Sequence, residues 1–107
     1  MNLGIIKKGY KAMKKETFKI FGYNSKENRY FTKERTGYIV EINGIQYGLE
    51  KLTRFWQATE ITTGMQVTNA VTKEELIEKL ERFNPNTIKY VIACNLKKYP
   101  EIAEMMK

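Results

Sequence analysis

The chain has 107 residues, a formal net charge of +7 and a hydrophobic content of 42%. This length suits one domain with a modest core. The sequence has one cysteine and neither histidine nor aspartate, so it lacks the usual zinc ligands and the base of a Ser-His or Cys-His pair. We therefore expect no metal site, no cofactor and no enzymatic activity, although glutamate or a desolvated lysine remains open to acid–base chemistry.

The sequence favours a cytoplasmic protein without a membrane partner. No apolar run approaches the ~20 residues that a membrane-spanning helix needs, and the first residues lack the apolar stretch of a secretory signal. The single cysteine, Cys94, cannot form an intrachain disulfide.

The positive charge is concentrated near the start of the chain. Residues 1–36 contain ten Lys and Arg against three Glu, whereas residues 37–107 contain nine of each sign. The whole excess of +7 thus belongs to the first third, which predicts a localised basic surface or arm.

The first third also carries the weakest secondary-structure signals. Residues 5–15 have helical spacing, with Ile6, Tyr10 and Met13 on one side and lysines largely on another. Residues 17–23 alternate as a strand does, and the polar stretch 24–36 has the turn residues of a mobile loop.

The clearest local signal is the stretch YIVEINGIQYGL at residues 38–49. An Asn-Gly pair between alternating apolar residues predicts a two-residue type I′ hairpin turn. The turn then sets three cross-strand pairs, Ile42 with Ile45, Val40 with Tyr47 and Tyr38 with Leu49. These six residues share one face, and Gly48 marks a bulge or a close approach.

A second hairpin and a helix follow. Residues 54–61 and 65–70 are strand-like and flank a Thr-Thr-Gly turn at residues 62–64. Thr72 is the predicted N-cap of a helix, with Glu75 completing a capping box. The apolar stripe of that helix is formed by Leu76, Ile77, Leu80 and Phe83.

The last quarter of the chain leaves one choice open. Residues 88–94 fit either a helix or a buried strand, and the length of the segment with the preceding Asn86 favours the helix. Pro100 suits the first turn of a short final helix.

These elements predict one α+β domain over residues 1–107. Its parts are a basic N-terminal segment and loop (1–36), antiparallel hairpins (37–70) and a helical C-terminal part (72–106). We expect a four- to five-stranded antiparallel meander sheet, with C-terminal helices covering one face and a basic N-terminal helix or arm.

The basic first third is the candidate binding site for nucleic acid or another partner. Clustered cations release counterions from a phosphate backbone without reading its sequence, and interleaved aromatic rings stack on unpaired bases. The alternative is a lysine-rich face that only keeps the protein soluble. The candidate residues are Lys7, Lys8, Lys11, Lys14, Lys15, Lys19, Lys26, Arg29, Lys33, Arg35, Tyr10, Tyr30 and Phe31.

Three other residues have side chains that could serve a function but are better explained by core packing. Trp56 and Tyr47 lie in strand patterns, so we expect them to pack on the sheet rather than to anchor a partner. Cys94 stands among apolar residues, and we expect a small buried side chain there.

The segment WQATEITTGMQVTNAVTKEEL, residues 56–76, resembles a strand–turn–strand–helix ending of small phage and mobile-element proteins from low-GC Gram-positive bacteria. The resemblance rests on Trp56, the Thr63-Gly64 turn, Val67 and the helix cap Thr72. In its small size, lysine-rich and aspartate-free composition, the chain is similar to anti-CRISPR proteins.

That resemblance implies a non-catalytic inhibitor of a nucleic-acid-guided nuclease, acting in the cytoplasm of the host cell. A basic inhibitor would engage guide RNA, target DNA or an acidic patch on the effector complex, because mimicry of a DNA duplex needs negative charge. The alternative is a general DNA- or RNA-binding accessory protein.

Overall fold

The computed structural model describes residues 14–107, in which five strands form one antiparallel sheet and three helices follow it. The sheet order is β1-β2-β3-β4-β5, a meander, so the predicted fold class is confirmed. The strands are β1 (Lys14–Asn24), β2 (Arg29–Ile42), β3 (Ile45–Lys51), β4 (Trp56–Glu60) and β5 (Met65–Ala70). The helices are α1 (Lys73–Arg82), α2 (Pro85–Lys98) and α3 (Glu101–Met105).

The β2–β3 hairpin has the predicted turn and register. Asn43 and Gly44 take φ values of 54° and 84°, the left-handed conformation that a type I′ turn requires at both central positions. The three predicted cross-strand pairs are present, from Ile42 opposite Ile45 to Tyr38 opposite Leu49.

The main core lies between one face of the sheet and α1. The strand residues Tyr47 and Leu49 are 1% and 0% exposed, and Leu76 and Leu80 of α1 belong to the same buried cluster. Each such side chain contributes roughly 1.5–3 kcal/mol by leaving water. We call this face of the sheet the inner face and the opposite one the outer face.

The predicted capping box fixes the start of α1. The Thr72 hydroxyl accepts a hydrogen bond from the Glu75 amide at 3.1 Å, and the Glu75 carboxylate accepts one from the Thr72 amide at 3.2 Å. Both groups therefore satisfy amides that the first helical turn leaves without a partner.

The mobile loop predicted for residues 24–36 is wrong. Only residues 25–28 form a turn, and β2 begins at Arg29 and pairs with β1 along its length. Charged residues obscure the alternation of apolar and polar residues in this stretch. The paired strands β1 and β2 tolerate these charges because one face of the pair is exposed to solvent.

Two aromatic rings on the outer face pack against glycines and hold this hairpin. The Phe31 ring lies across from Gly22, with its Cζ 2.8 Å from the position that a Cβ would take there. The Phe18 ring lies over Gly48 in the same way, with three ring atoms 2.7 Å from such a position. The close approach suggested at Gly48 is therefore confirmed, and Phe18 is what approaches.

Strand β1 also contacts the β4–β5 turn. The Phe21 amide donates a hydrogen bond of 2.7 Å to the carbonyl of Gly64, whose φ of 71° confirms a turn residue with positive φ. The Phe21 ring stacks on Tyr30 at 5.3 Å and is tilted against Tyr99 at 6.3 Å. This aromatic cluster joins the β1–β2 hairpin to the C-terminal helices.

The segment that fitted either a helix or a strand is helical, since residues 88–94 lie inside α2. Asn84 caps it by accepting from the Asn86 amide at 2.8 Å. The expectation of a buried Cys94 is wrong, since its side chain is exposed on a helix none of whose residues is buried. The short last helix follows Pro100 as predicted.

The predicted helix at residues 5–15 falls almost entirely outside the described residues. Its last two positions, 14 and 15, belong to strand β1 instead. Among the described residues, no helix is both long and apolar enough to cross a membrane.

Candidate nucleic-acid interface

The β1–β2 register divides the predicted cations between the two faces of the sheet. Lys15 and Lys19 lie opposite Tyr38 and Glu34 on the inner-face side. The outer-face side carries Arg29, Lys33 and Arg35, and Lys26 lies in the turn that joins the strands. The side chains of Lys7, Lys8, Tyr10, Lys11 and Lys14 lie outside the described part of the chain.

Three of the described hairpin cations are held by groups of the protein itself. Lys19 donates to the carbonyl oxygen of Lys107. Arg29 donates to Glu27 at 2.7 Å in an exposed ion pair. Arg35 donates to Glu50 at 2.7 Å, with side chains 30% and 11% exposed. The exposed side chains of Lys15, Lys26 and Lys33 make no ion pair among residues 14–107 and are the cations the hairpin leaves available.

The aromatic candidates of the hairpin serve packing. Tyr30 is half-buried between Phe21, Tyr23 and Tyr99, with its ring centroid 5.1 Å from that of Tyr23 and 6.0 Å from that of Tyr99. Phe31 is half-buried against Gly22. Of these rings, Tyr23 is the accessible one, with 49% of its surface exposed.

A cleft on the inner-face side brings aromatic rings and cations together. Two rows of paired residues build it: Lys15, Tyr38 and Leu49 across β1, β2 and β3, and Lys51 and Trp56 across β3 and β4. The cleft has a volume of about 360 Å³. Its lining is completed by Thr36 and Gly37.

The floor of this cleft is a pair of aromatic rings covered by a third lysine. The Tyr38 and Trp56 rings are 6.3 Å apart and inclined by 31°. From the first turn of α1, the Lys73 ammonium lies 5.1 Å from the centre of the Tyr38 ring and 5.6 Å from that of Trp56. A cation at this distance is attracted to the negative ring faces.

The charged residues that line the cleft are all lysines. Lys15, Lys51 and Lys73 contribute three positive charges, and no carboxylate is among the lining residues that the structure describes. We call these five residues, Tyr38 and Trp56 with Lys15, Lys51 and Lys73, the aromatic–lysine cleft. A flat ring with a phosphate, such as a nucleotide, fits both of its chemical features.

The buried carboxylate of Glu60 has a structural explanation. It is 3% exposed and accepts hydrogen bonds from the amides of Thr62 and Thr63 at 2.7 and 2.9 Å and from the Thr63 hydroxyl at 2.7 Å. Burial, and then the negative charge of Glu60, raise the pKa of Tyr47 to about 12. These contacts form the β4–β5 turn. The described residues contain no group of three or more Cys or Glu side chains suited to a metal ion.

Sequence reasoning reached Lys15 but missed the other members of the cleft. Trp56 was expected to pack on the core, and it does lie half-buried against it, yet its ring also lines the cleft. The sequence did indicate the position of Tyr38, because the predicted hairpin register places it on the apolar face in the pair farthest from the turn. Nothing local indicated Lys73, which reaches the rings only because α1 folds back over the sheet.

No protein-family model, no curated protein and no solved structure matches this chain.

Proposed function

We propose that the protein is a non-catalytic nucleic-acid-binding protein whose aromatic–lysine cleft holds an unpaired base and its phosphates. The observation that carries this proposal is that Lys15 and Lys51 line a cleft together with the Tyr38 and Trp56 rings, with no carboxylate in the lining, and that Lys73 lies over both rings. Stacking of a base on an aromatic side chain contributes roughly 1–3 kcal/mol, and the lysines add a salt-dependent attraction to phosphate.

A single strand fits the cleft better than a duplex. A flat group that displaces the Lys73 side chain from the two rings can stack on their faces, whereas the bases of a duplex keep their faces stacked on one another. All three cations are lysines, which act as point charges and do not read base edges in the bidentate manner of arginine. The expected binding is therefore tolerant of base sequence.

The positive charge of the described cleft residues also predicts a salt-dependent affinity. Lys15, Lys51 and Lys73 each offer an ammonium group to phosphate, and binding that releases counterions weakens as the salt concentration rises. Association is therefore expected to fall with salt.

The test uses Trp56, the only tryptophan in the chain, as an internal reporter. Oligothymidylate is titrated into the protein at several salt concentrations while indole fluorescence is recorded. A stacked base is expected to quench the indole, and a variant with Lys15→Gln, Lys51→Gln and Lys73→Gln is expected to lose about 2 from the slope of log K against log salt, because single strands contribute about 0.7 per phosphate contact. Tyr38→Leu keeps the reporter and is expected to weaken binding about tenfold.

A matched control removes the same charge elsewhere. Lys89→Gln, Lys97→Gln and Lys98→Gln all lie on α2, and this variant is expected to keep the salt slope of the wild type within about 0.5. If the two triple variants lower the slope equally, the cleft has no special role and the binding reflects net charge alone.

The narrower proposal is that binding inhibits a nucleic-acid-guided nuclease in a phage-infected or element-bearing host cell. Its support is the resemblance over residues 56–76, which begins at Trp56 in the cleft. Target cleavage by such a nuclease, loaded with its guide, is measured with increasing protein. The inhibitor proposal expects cleavage to stop with the wild type and to persist with the triple cleft variant. Binding of oligothymidylate without any effect on cleavage favours the general DNA- or RNA-binding accessory protein.

A further inference from the structure

Helix α2 is the least buried long element of the described chain. None of its fourteen residues is buried, whereas α1 and α3 each bury residues in a core. Tyr90 is 70% exposed, Val91 45% and Leu96 37%, and Cys94 is exposed as well. A helix of a two-layer domain normally buries an apolar stripe, whereas α2 leaves several apolar side chains exposed to solvent.

A groove runs between α2 and the edge strand β5. It has a volume of about 240 Å³ and apolar walls that include Met65, Val67, Phe83 and Val91. A cavity of ~150 Å³ is large enough to hold benzene, whereas pockets for drug-sized molecules start at ~300 Å³. The groove therefore has the size of one large apolar side chain.

Helix α2, which forms one wall of the groove, carries positive charge only. Helix α2 carries Lys89, Lys97 and Lys98 and contains no acidic residue. The carboxylate that reaches the groove, Glu60, is buried and held by Thr63. A ligand that complements this surface combines an apolar group with several negative charges.

We propose that this surface, the groove together with the outward side of α2, docks an acidic segment of a partner protein. One apolar side chain of the segment enters the groove beside Val91. Carboxylates next to it face Lys98, which is two helical turns from Val91 on the same side of α2, and carboxylates farther along the segment face Lys89 and Lys97 on other sides of the helix. Interfaces are typically organised in this way, around a buried apolar anchor with a charged rim.

Charge and shape favour protein over nucleic acid here. Three cations along a helix of fourteen residues, about 21 Å long, give few phosphate contacts. The exposed apolar side chains of the helix include one ring, Tyr90, whereas Val91 and Leu96 are aliphatic and offer no stacking surface. This differs from the aromatic–lysine cleft. The two sites are also separated in space. Trp56 of the aromatic–lysine cleft and Glu60 of the groove lie at opposite ends of β4, roughly 13 Å apart along the strand.

The test uses Cys94, the only cysteine, as a local reporter on α2. An environment-sensitive dye is attached there, and a synthetic peptide with one leucine between glutamates is titrated in. Two matched peptides replace the leucine by alanine or the glutamates by lysine. The leucine–glutamate peptide is expected to bind at least about tenfold more tightly than either.

Two variants locate the binding. Lys97→Glu with Lys98→Glu reverses the rim charge, and Val91→Glu puts a carboxylate at a half-exposed position of the groove wall, so each is expected to weaken the peptide about tenfold. Circular dichroism checks that the variants fold, and peptide-induced shifts of the Met65 and Val67 methyl signals report on the groove without the dye. The triple cleft variant Lys15→Gln, Lys51→Gln and Lys73→Gln is the control and is expected to bind the peptide normally.

Three results would overturn the proposal. Equal binding of the leucine and alanine peptides would leave only diffuse electrostatic attraction. Displacement of the peptide by oligothymidylate would assign the surface to nucleic acid, and concentration-dependent self-association without peptide would assign it to a second copy of this chain.

Discussion

The packing of Phe18 over Gly48 predicts an unusual response to a small substitution. In Gly48→Ala, the new Cβ would lie 2.7 Å from the Cδ2, Cε2 and Cζ atoms of the Phe18 ring, which is too close for carbon atoms. Gly48 has no positive φ, so the alanine brings no backbone strain. The cost of the substitution is therefore steric.

The magnitude follows from two opposing effects. Overpacking of a well-filled site costs about 1–3 kcal/mol, and alanine recovers about 0.4–1 kcal/mol by restricting the unfolded chain. We expect a net loss of about 1–2 kcal/mol in the free energy of unfolding. In a Phe18→Leu background the Cε2 and Cζ atoms are gone, and Gly48→Ala is expected to be neutral or stabilising by up to about 1 kcal/mol.

Urea denaturation of the wild type, both single variants and the double variant measures the coupling between the two sites. We expect an interaction free energy of about 2 kcal/mol. The control is Gly44→Ala, whose Cβ would meet nothing within 4 Å but whose φ is 84°, so its cost arises from strain and is expected to be the same in both backgrounds. If Gly48→Ala costs the same with Phe18 and with leucine, the ring is not what excludes a side chain at this position.

Three further predictions concern titration, an ion pair and a cap. Burial and the charge of Glu60 raise the pKa of Tyr47 to about 12, above its value in the unfolded chain. The free energy of unfolding is therefore expected to fall by about 3 kcal/mol as the pH rises from about 10 to about 12. Urea midpoints across this range should show the fall in the wild type and a smaller fall in Tyr47→Phe. Arg35→Met leaves the Glu50 carboxylate, 11% exposed, without its cation and is expected to lower the free energy of unfolding by about 1–3 kcal/mol. Adding Glu50→Met is expected to restore most of that loss, because no buried carboxylate then remains without a partner. Additive losses in the double variant would contradict this. Thr72→Ala removes the acceptor for the Glu75 amide and is expected to cost about 1 kcal/mol, so an unchanged thermal midpoint would count against the capping box.

The parts of the fold that were predictable are those whose cause is local. The Asn43-Gly44 pair specifies a two-residue loop, and a loop of that length permits only one pairing register between the two strands beside it. For the same reason Thr72 and Glu75 predict the start of α1. In both cases the interacting groups are within a few residues of one another, so their order in the chain is sufficient.

The β1–β2 hairpin was missed because its cause is not local. Residues 29–36 contain four charged side chains and have little β propensity of their own. They are held by pairing with β1 and by rings that lie over glycines, and in the case of Phe18 over Gly48 the partners are thirty positions apart. Contacts at that separation appear only once the sheet exists.

The site was only partly predictable, because convergence of charge depends on where acids as well as bases are placed. The first third of the chain has an excess of +7 that already counts Glu27, the partner of Arg29. In the fold, Arg35 is in addition held by Glu50 and Lys19 by the carbonyl of Lys107, both from later in the chain. Net charge along a segment therefore overstated what the hairpin can offer to a polyanion.

The aromatic–lysine cleft illustrates the reverse case. Lys51 and Lys73 belong to residues 37–107, a part of the chain with no net charge, and still help to form a site with three cations and no carboxylate in its lining. This happens because Glu50, beside Lys51 in the chain, points to the opposite face of β3 and pairs with Arg35, while Glu75 is occupied by the cap of α1. The alternation of the strand and the capping of the helix thus engage Glu50 and Glu75 away from these lysines. A local positive potential at the rings is a consequence of the fold, and it is this potential, rather than the lysine content, that the salt dependence of the cleft variants measures.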